Sequence, residues 1–208
     1  MKKLVIIDCY EKIITPHRDK GFQNAFNNLD NLNWEYIRYE ELINPSKYTL
    51  ALESDGIIIS GSQLNIPDPS TQEKMSLLIK LVKEYSKPIL GICFGLQLIG
   101  YIFGFIIQKM ENPEAEWDKE ITLTCQPPFA LLDDQTIEVD VHHAYEIQYI
   151  PELEEIFTCH ASTEACKVEV ITHRSRPIYG VQFHPETYKS EKIVESGKEL
   201  LRKFVALL

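Results

Sequence analysis

Four short apolar runs punctuate the first half of the chain, at residues 3–8, 34–39, 56–60 and 88–92. Each is only five or six residues long and rich in Ile, Val, Leu or aromatic side chains. Such a run is the length of a strand, not of a helix. Between them lie stretches with helical character, at residues 21–29, 46–54 and 71–85. In the last of these, Met75, Leu78, Ile79 and Val82 recur at helical spacing and define one buried face. A further apolar helix is expected over residues 95–103, and a closing helix over 191–207.

The second half reads differently. Short strand-like runs dominate, at residues 121–125, 137–141, 156–160, 168–172 and 179–183, and the acidic stretch 111–119 reads as a loop. Alternating strands and helices argue for a parallel sheet with helices on both faces. The later runs suggest an antiparallel extension. Sites in such sheets lie beyond the strand C-termini, and Asp8, Ser60, Cys93 and His184 all fall at or just past expected strand ends. With no repeats, low-complexity tracts or clear linker, the 208 residues are expected to form a single domain, 1–208.

The richest local signal is Gly91-Ile92-Cys93-Phe94-Gly95, set between the strand at 88–92 and the helix at 95–103. This is the layout of a nucleophile elbow with cysteine at its apex. A sharp strand-to-helix turn leaves no room for side chains beside the nucleophile, and the two glycines supply that room. The helix N-terminus beneath the sulfur favours the thiolate form. Taken alone, a cysteine between glycines is equally consistent with tight packing.

Two further motifs change that balance. Residues 179–183 run as a strand into His184-Pro185-Glu186. A cysteine nucleophile needs a base, and the base an orienting group. Pro185 fixes φ and favours a bend that would bring Glu186 back to the His184 ring. The strand at 56–60 ends in Ser60-Gly61-Ser62, a small-residue loop suited to presenting a backbone N–H to a developing oxyanion, alongside the N–H of Phe94. The loop lacks the Lys-Ser/Thr ending of a phosphate-binding loop.

In order, Ser60-Gly61-Ser62, Gly91 to Gln97 and Gly180-Val181-Gln182-Phe183-His184-Pro185-Glu186 resemble the class I glutamine amidotransferases, most closely the glutaminase part of GMP synthases. The resemblance runs from about Asp55 to Glu186, and the strand at 3–8 suits the family's first strand. It implies a flavodoxin/Rossmann-like three-layer α/β sandwich with a mostly parallel central sheet and a small antiparallel extension. It implies Cys93 as nucleophile, His184 as general base and acid, and Glu186 as the residue orienting His184. Phe94 with Gly61 and Ser62 would form the oxyanion hole. Gln97 and His143 would line the substrate pocket.

The chain departs from the family pattern in places. Gly61-Ser62 stands where two glycines are common. Leu96 replaces a usual His, which is expected to alter the pocket wall, and His142 stands where Ser is common. Residues 9–22, with Pro16, His17 and Arg18, read as longer than the family's short turn into its first helix.

Composition narrows the function further. A net charge of −10 argues against a nucleic-acid or anionic-membrane surface. No apolar run approaches membrane-span length, and the run 4–7 is too short for a signal peptide. The five cysteines are odd in number and include no C-x-x-C, so neither a disulfide framework nor a zinc site is expected. A reducing cytoplasm fits this usage. Cys159 and Cys166 read as packing, as do Trp34 and Trp117 as core or loop anchors. No cofactor or metal is expected.

These readings converge on a glutaminase that releases ammonia from glutamine, or acts on a γ-glutamyl compound. By resemblance the ammonia passes to a synthetase, which the chain leaves no residues for, so a separate subunit would accept it. A stand-alone γ-glutamyl amide or peptide hydrolase and a non-catalytic binding module are the alternatives.

Overall fold

The computed structural model describes residues 1–11, 16–113, 117–127, 129–132, 136–187 and 189–208, with residues 16–18 described in backbone only. The chain runs β1 (Lys2–Asp8), α1 (Pro16–Phe26), β2 (Leu32–Arg38), a 3-10 turn (Tyr39–Ile43), α2 (Pro45–Glu53), β3 (Gly56–Ile59), α3 (Pro69–Lys74), α4 (Ser76–Glu84), β4 (Ile89–Ile92) and α5 (Phe94–Ile102). It continues through β5 (Ile107–Lys109), β6 (Trp117–Thr124), β7 (Thr136–His142), β8 (Tyr145–Ile147), α6 (Leu153–Ile156), β9 (Phe157–Ala161), β10 (Val170–His173) and β11 (Ile178–Val181) to α7 (Glu191–Ala206).

Seven strands form the central sheet in the order β2-β1-β3-β4-β11-β10-β9. The first five are mutually parallel; β10 and β9 continue the sheet antiparallel. The alternation along β1 shows how the layers arise. Val5 and Ile7 face one core with Ile57, Ile59, Leu78 and Leu81, while Leu4 and Ile6 face the other with Ile58, Phe22, Leu200 and Phe204. Residues buried on both faces explain why these strands read as continuous apolar runs. Helices α2, α4 and α5 cover the first face, and α1 and α7 the second. The fold is thus the expected α/β sandwich.

Several expectations need correction. The helix expected at 71–85 is two, α3 and α4, separated at Met75, whose ψ of 1° is non-helical. Its expected buried face survives in Met75, Leu78 and Val82, while Ile79 is only partly buried. Helix α1 begins at Pro16, not Gly21, so the long segment after β1 is shorter than its sequence suggested. Proline is well tolerated in a helix's first turn because the N–H it lacks has no intrahelical partner there. Residues 12–15 of that segment lie outside the described residues. The expected antiparallel extension is present in several pieces: β9 and β10 join the main sheet, while β6-β7 and β5-β8 form two separate ribbons. Trp117–Lys119, expected in a loop, open β6; residues 114–116 lie outside the described residues.

Candidate active site

The elbow begins with glycines that no other residue could replace without displacing backbone. A β-carbon on Gly91 would lie 2.6 Å from the carbonyl carbon of Gly95, and one on Gly95 would fall on the carbonyl oxygen of Ile59. Helix α5 is therefore seated directly on β3 and β4. The chain must turn sharply at Cys93, which takes φ +51° and ψ −102°, a region that L-residues rarely occupy and that costs on the order of 1–3 kcal/mol. Cys93 is held there by its N–H to the carbonyl of Val181 at 2.8 Å, and its own carbonyl accepts from Gln97 N–H at 3.1 Å. It caps the N-terminus of α5, where the helix dipole presents its positive end. Leu96, expected to reshape the pocket wall, instead points away from it. It is fully buried and packs on Gly180 of β11.

His184 and Glu186 stand beyond β11, the strand beside β4. The ring Nδ1 of His184 lies 2.9 Å from Oε1 of Glu186, with both side chains at most 2% exposed. A carboxylate can only accept, so Nδ1 carries the proton. The bend at Pro185 is closed by Thr187 N–H to the His184 carbonyl at 3.2 Å, and the His184 N–H is fixed by the Asp140 carbonyl at 2.9 Å. Two helices press on this loop. A β-carbon on Gly21 of α1 would overlap the Glu186 carbonyl oxygen, and one on Gly197 of α7 would overlap that of Pro185.

Cys93 and His184 line one cavity of about 460 Å³, together with Phe94, Gln97, His143, Ser62, Tyr10, Lys109 and Trp117. Of the expected site residues, only Gly61 and Glu186 stay off the cavity lining, Glu186 behind the His184 ring. The loop after β3 is tied to the end of β1: Cys9 N–H donates to Ser60 Oγ at 2.9 Å, and Ser62 Oγ donates to the Cys9 carbonyl at 2.7 Å. Among the described residues only Cys93 and Asp118 combine a side chain with positive φ, so Ser62 replaces glycine without backbone strain. Gln97 spans the floor, its Nε2 donating to the Tyr145 carbonyl at 2.7 Å and to Gln182 Oε1 at 3.2 Å. Burial, with His184 and His142 close by, pushes the His143 pKa down to about 3, so this wall of the cavity is a neutral imidazole.

The other thiols behave as inert packing. Burial pushes Cys9 up strongly, and Cys125 and Cys159 to about 11. Cys166 is buried too; it, His143 and Glu169 each bring one donor atom within 4.8 Å of the others. Nitrogen, sulfur and oxygen donors of this kind suit a zinc-class ion, and among the described residues this is the one group that could hold a metal.

Sequence reasoning missed the rim. Trp117 is 50% exposed, and its ring lies 4.0 Å from that of His142 across the β6-β7 ribbon. Tyr10 and Lys109 also reach the cavity. No motif marks these residues: Tyr10 enters from the end of β1, Trp117 through the pairing of β6 with β7, and Lys109 through that of β5 with β8.

Comparison with known proteins places this fold. The family described as glutamine amidotransferase class-I matches residues 5–207. The chain belongs to the class I glutamine amidotransferase family. It is 34% identical over 181 residues to a glutamine-hydrolyzing GMP synthase subunit of Thermococcus kodakarensis, spanning 84% of this chain and 90% of that one. A protein of the same name from Thermoplasma acidophilum is 33% identical over 153 residues, spanning 74% and 72%. Among solved structures, a protein described as a GMP synthase subunit from Thermoplasma acidophilum superimposes with a TM-score of 0.79 at 26% identity, covering 100% of this chain and 94% of that one. A glutamine amidotransferase from Thermotoga maritima, at 14% identity and a TM-score of 0.74, covers 98% of this chain and 96% of that one and shares the fold. The α/β architecture of this amidotransferase thus has counterparts among solved structures along its whole length. No helix among the described residues is long and apolar enough to cross a membrane.

Proposed function

We propose that this amidotransferase hydrolyses the side-chain amide of glutamine through Cys93, His184 and Glu186, and that a separate synthetase subunit takes the ammonia. The observation that carries this reading is one cavity lined by a strained elbow cysteine and by a histidine whose Nδ1 is held by a buried carboxylate.

The Cys93 thiolate attacks the carboxamide carbon. The oxyanion is met by the Phe94 N–H, which as the first helical residue has no intrahelical acceptor, and by an N–H of the Gly61-Ser62 loop. Each such donor contributes on the order of 2.7–4 kcal/mol at comparable sites. With Nδ1 committed to Glu186, Nε2 of His184 is the nitrogen that protonates the departing ammonia. The same nitrogen then takes a proton from water, which cleaves the γ-glutamyl thioester to glutamate and restores Cys93. Glu186 stabilises the imidazolium formed in each half. Gln97 and the neutral His143 shape the pocket for the glutamine side chain.

The relatives support the reading of a separate partner. Those at 33–34% identity are named as one subunit of a GMP synthase, and this chain covers 72–90% of their length. Glutamate release from glutamine by wild type and by Cys93→Ala, with and without a candidate synthetase subunit, tests the reading. Cys93-dependent turnover supports it. Full activity in Cys93→Ala sinks it, and preference for a γ-glutamyl conjugate makes the enzyme a hydrolase.

A further inference from the structure

Lys189 sits five residues beyond His184, outside the cavity lining, yet it ties together the two pieces of chain that form the cavity's His184 side. Its Nζ donates to Oδ1 of Asp140 in β7 and to Oδ1 of Asp118 in β6, both at 2.6 Å. The Asp140 side chain is only 6% exposed. A carboxylate so buried is costly without a cation, and Lys189 supplies it. The backbone carbonyl of Asp140 also holds the N–H of His184. Asp118 reaches Lys189 only because β6 bulges: the register slips between Trp117 and Lys119, and Asp118 takes φ +54°. Aspartate tolerates this region better than most residues but still with strain. The residue before the bulge, Trp117, and its partner across the ribbon, His142, form the cavity rim.

We infer that Lys189 is a positioning residue for the proposed reaction: by clasping Asp118 and Asp140 it sets both the height of the His184 backbone and the rim formed by Trp117 and His142. The inference rests on the function proposed above, in which His184 moves the proton. Buried Asp140 without its cation would seek water or a proton, and strand β7 would shift with it. A displacement of about 1 Å at a catalytic group lowers turnover by up to about a hundredfold.

The test compares Lys189→Met, which keeps the aliphatic stem, with Lys189→Arg, which restores the cation. Expected are a kcat for glutamine reduced about tenfold or more in Lys189→Met, a smaller change in KM, and substantial recovery in Lys189→Arg. The His184 ring resonances, followed by NMR against pH, should move in Lys189→Met whatever the turnover. If Lys189→Met fails to fold, Asp118→Asn cuts only the exposed arm of the clasp and should still lower kcat. Wild-type kcat with unmoved His184 resonances overturns the inference, as does a lowered melting temperature with kcat intact. A wild-type enzyme that never hydrolyses glutamine, with His184 still responding to Lys189→Met, would instead count against the proposed function and leave the clasp standing.

Discussion

Gly197, in the middle of α7, lies so close to Pro185 that a β-carbon would overlap the Pro185 carbonyl oxygen. In an ordinary helix interior, Gly→Ala stabilises by about 0.8–1.0 kcal/mol. Here the same change must push the His-Pro-Glu loop or the helix aside. We expect Gly197→Ala to keep its helical circular dichroism and to lose about tenfold or more in kcat. Ser196→Ala, one residue earlier on the same helix, should retain wild-type turnover. Equal activity in the two variants would show that the loop tolerates displacement.

The elbow yields a second expectation, on stability alone. At φ +51° and ψ −102°, Cys93 occupies backbone space suited to glycine. Cys93→Gly and Cys93→Ala both remove the thiol, so neither should hydrolyse glutamine. Their order of stability should be the reverse of that in regular structure, with the glycine variant more stable by about 1–2 kcal/mol. Urea unfolding midpoints of the pair measure this directly. An alanine variant as stable as the glycine variant would mean that the elbow relaxes once the thiol is gone.

Much of this was legible in the sequence because the decisive interactions are local. The Gly91-x-Cys93-x-Gly95 spacing encodes a turn whose crowding the structure displays, and Pro185 sets Glu186 two residues from the ring it holds. The core strands announced themselves by apolar runs that both sheet faces bury. What stayed hidden depends on contacts between distant segments. The break between α3 and α4 at Met75 interrupts a continuous apolar stripe and leaves no mark in its periodicity. The start of α1 at Pro16 lies in a polar first turn, where no apolar spacing marks a helix. Trp117, His142 and Lys109 reach the cavity through the pairing of β6 with β7 and of β5 with β8, and no local pattern specifies which strands pair. Gly21 and Gly197 carry no motif; their roles emerge only when α1 and α7 close over the His-Pro-Glu loop.

Glu186 separates orientation from charge. Glu186→Gln preserves volume and still accepts a hydrogen bond from Nδ1, but it cannot stabilise an imidazolium. We expect kcat to fall on the order of 10²- to 10⁴-fold while alkylation of Cys93 by a glutamine-like electrophile still saturates. Near-normal turnover in Glu186→Gln would remove the carboxylate from the mechanism and leave His184 oriented by its backbone contacts alone.

The last expectation concerns acid stability. The pKa of His143 is held down at about 3 by burial and by its histidine neighbours, against about 6.5 in an unfolded chain. Below pH 6.5 the unfolded chain takes up a proton that the folded protein refuses. Stability rises with pH wherever the unfolded state binds more protons, so this group withdraws stability as pH falls from about 6.5 toward 3. The limiting slope is about 1.4 kcal/mol per pH unit. His160 and His173, also shifted down by burial, act in the same direction, so the comparison must be against a variant of His143 alone. His143→Asn keeps a polar group in the wall and does not titrate. Urea midpoints at pH 7 and pH 4.5 should therefore fall less in His143→Asn than in wild type, with equal losses excluding a buried neutral His143. Because a neutral imidazole also lines the cavity, the variant should in addition raise KM for glutamine more than it lowers kcat, the signature of a group that binds substrate without moving its proton.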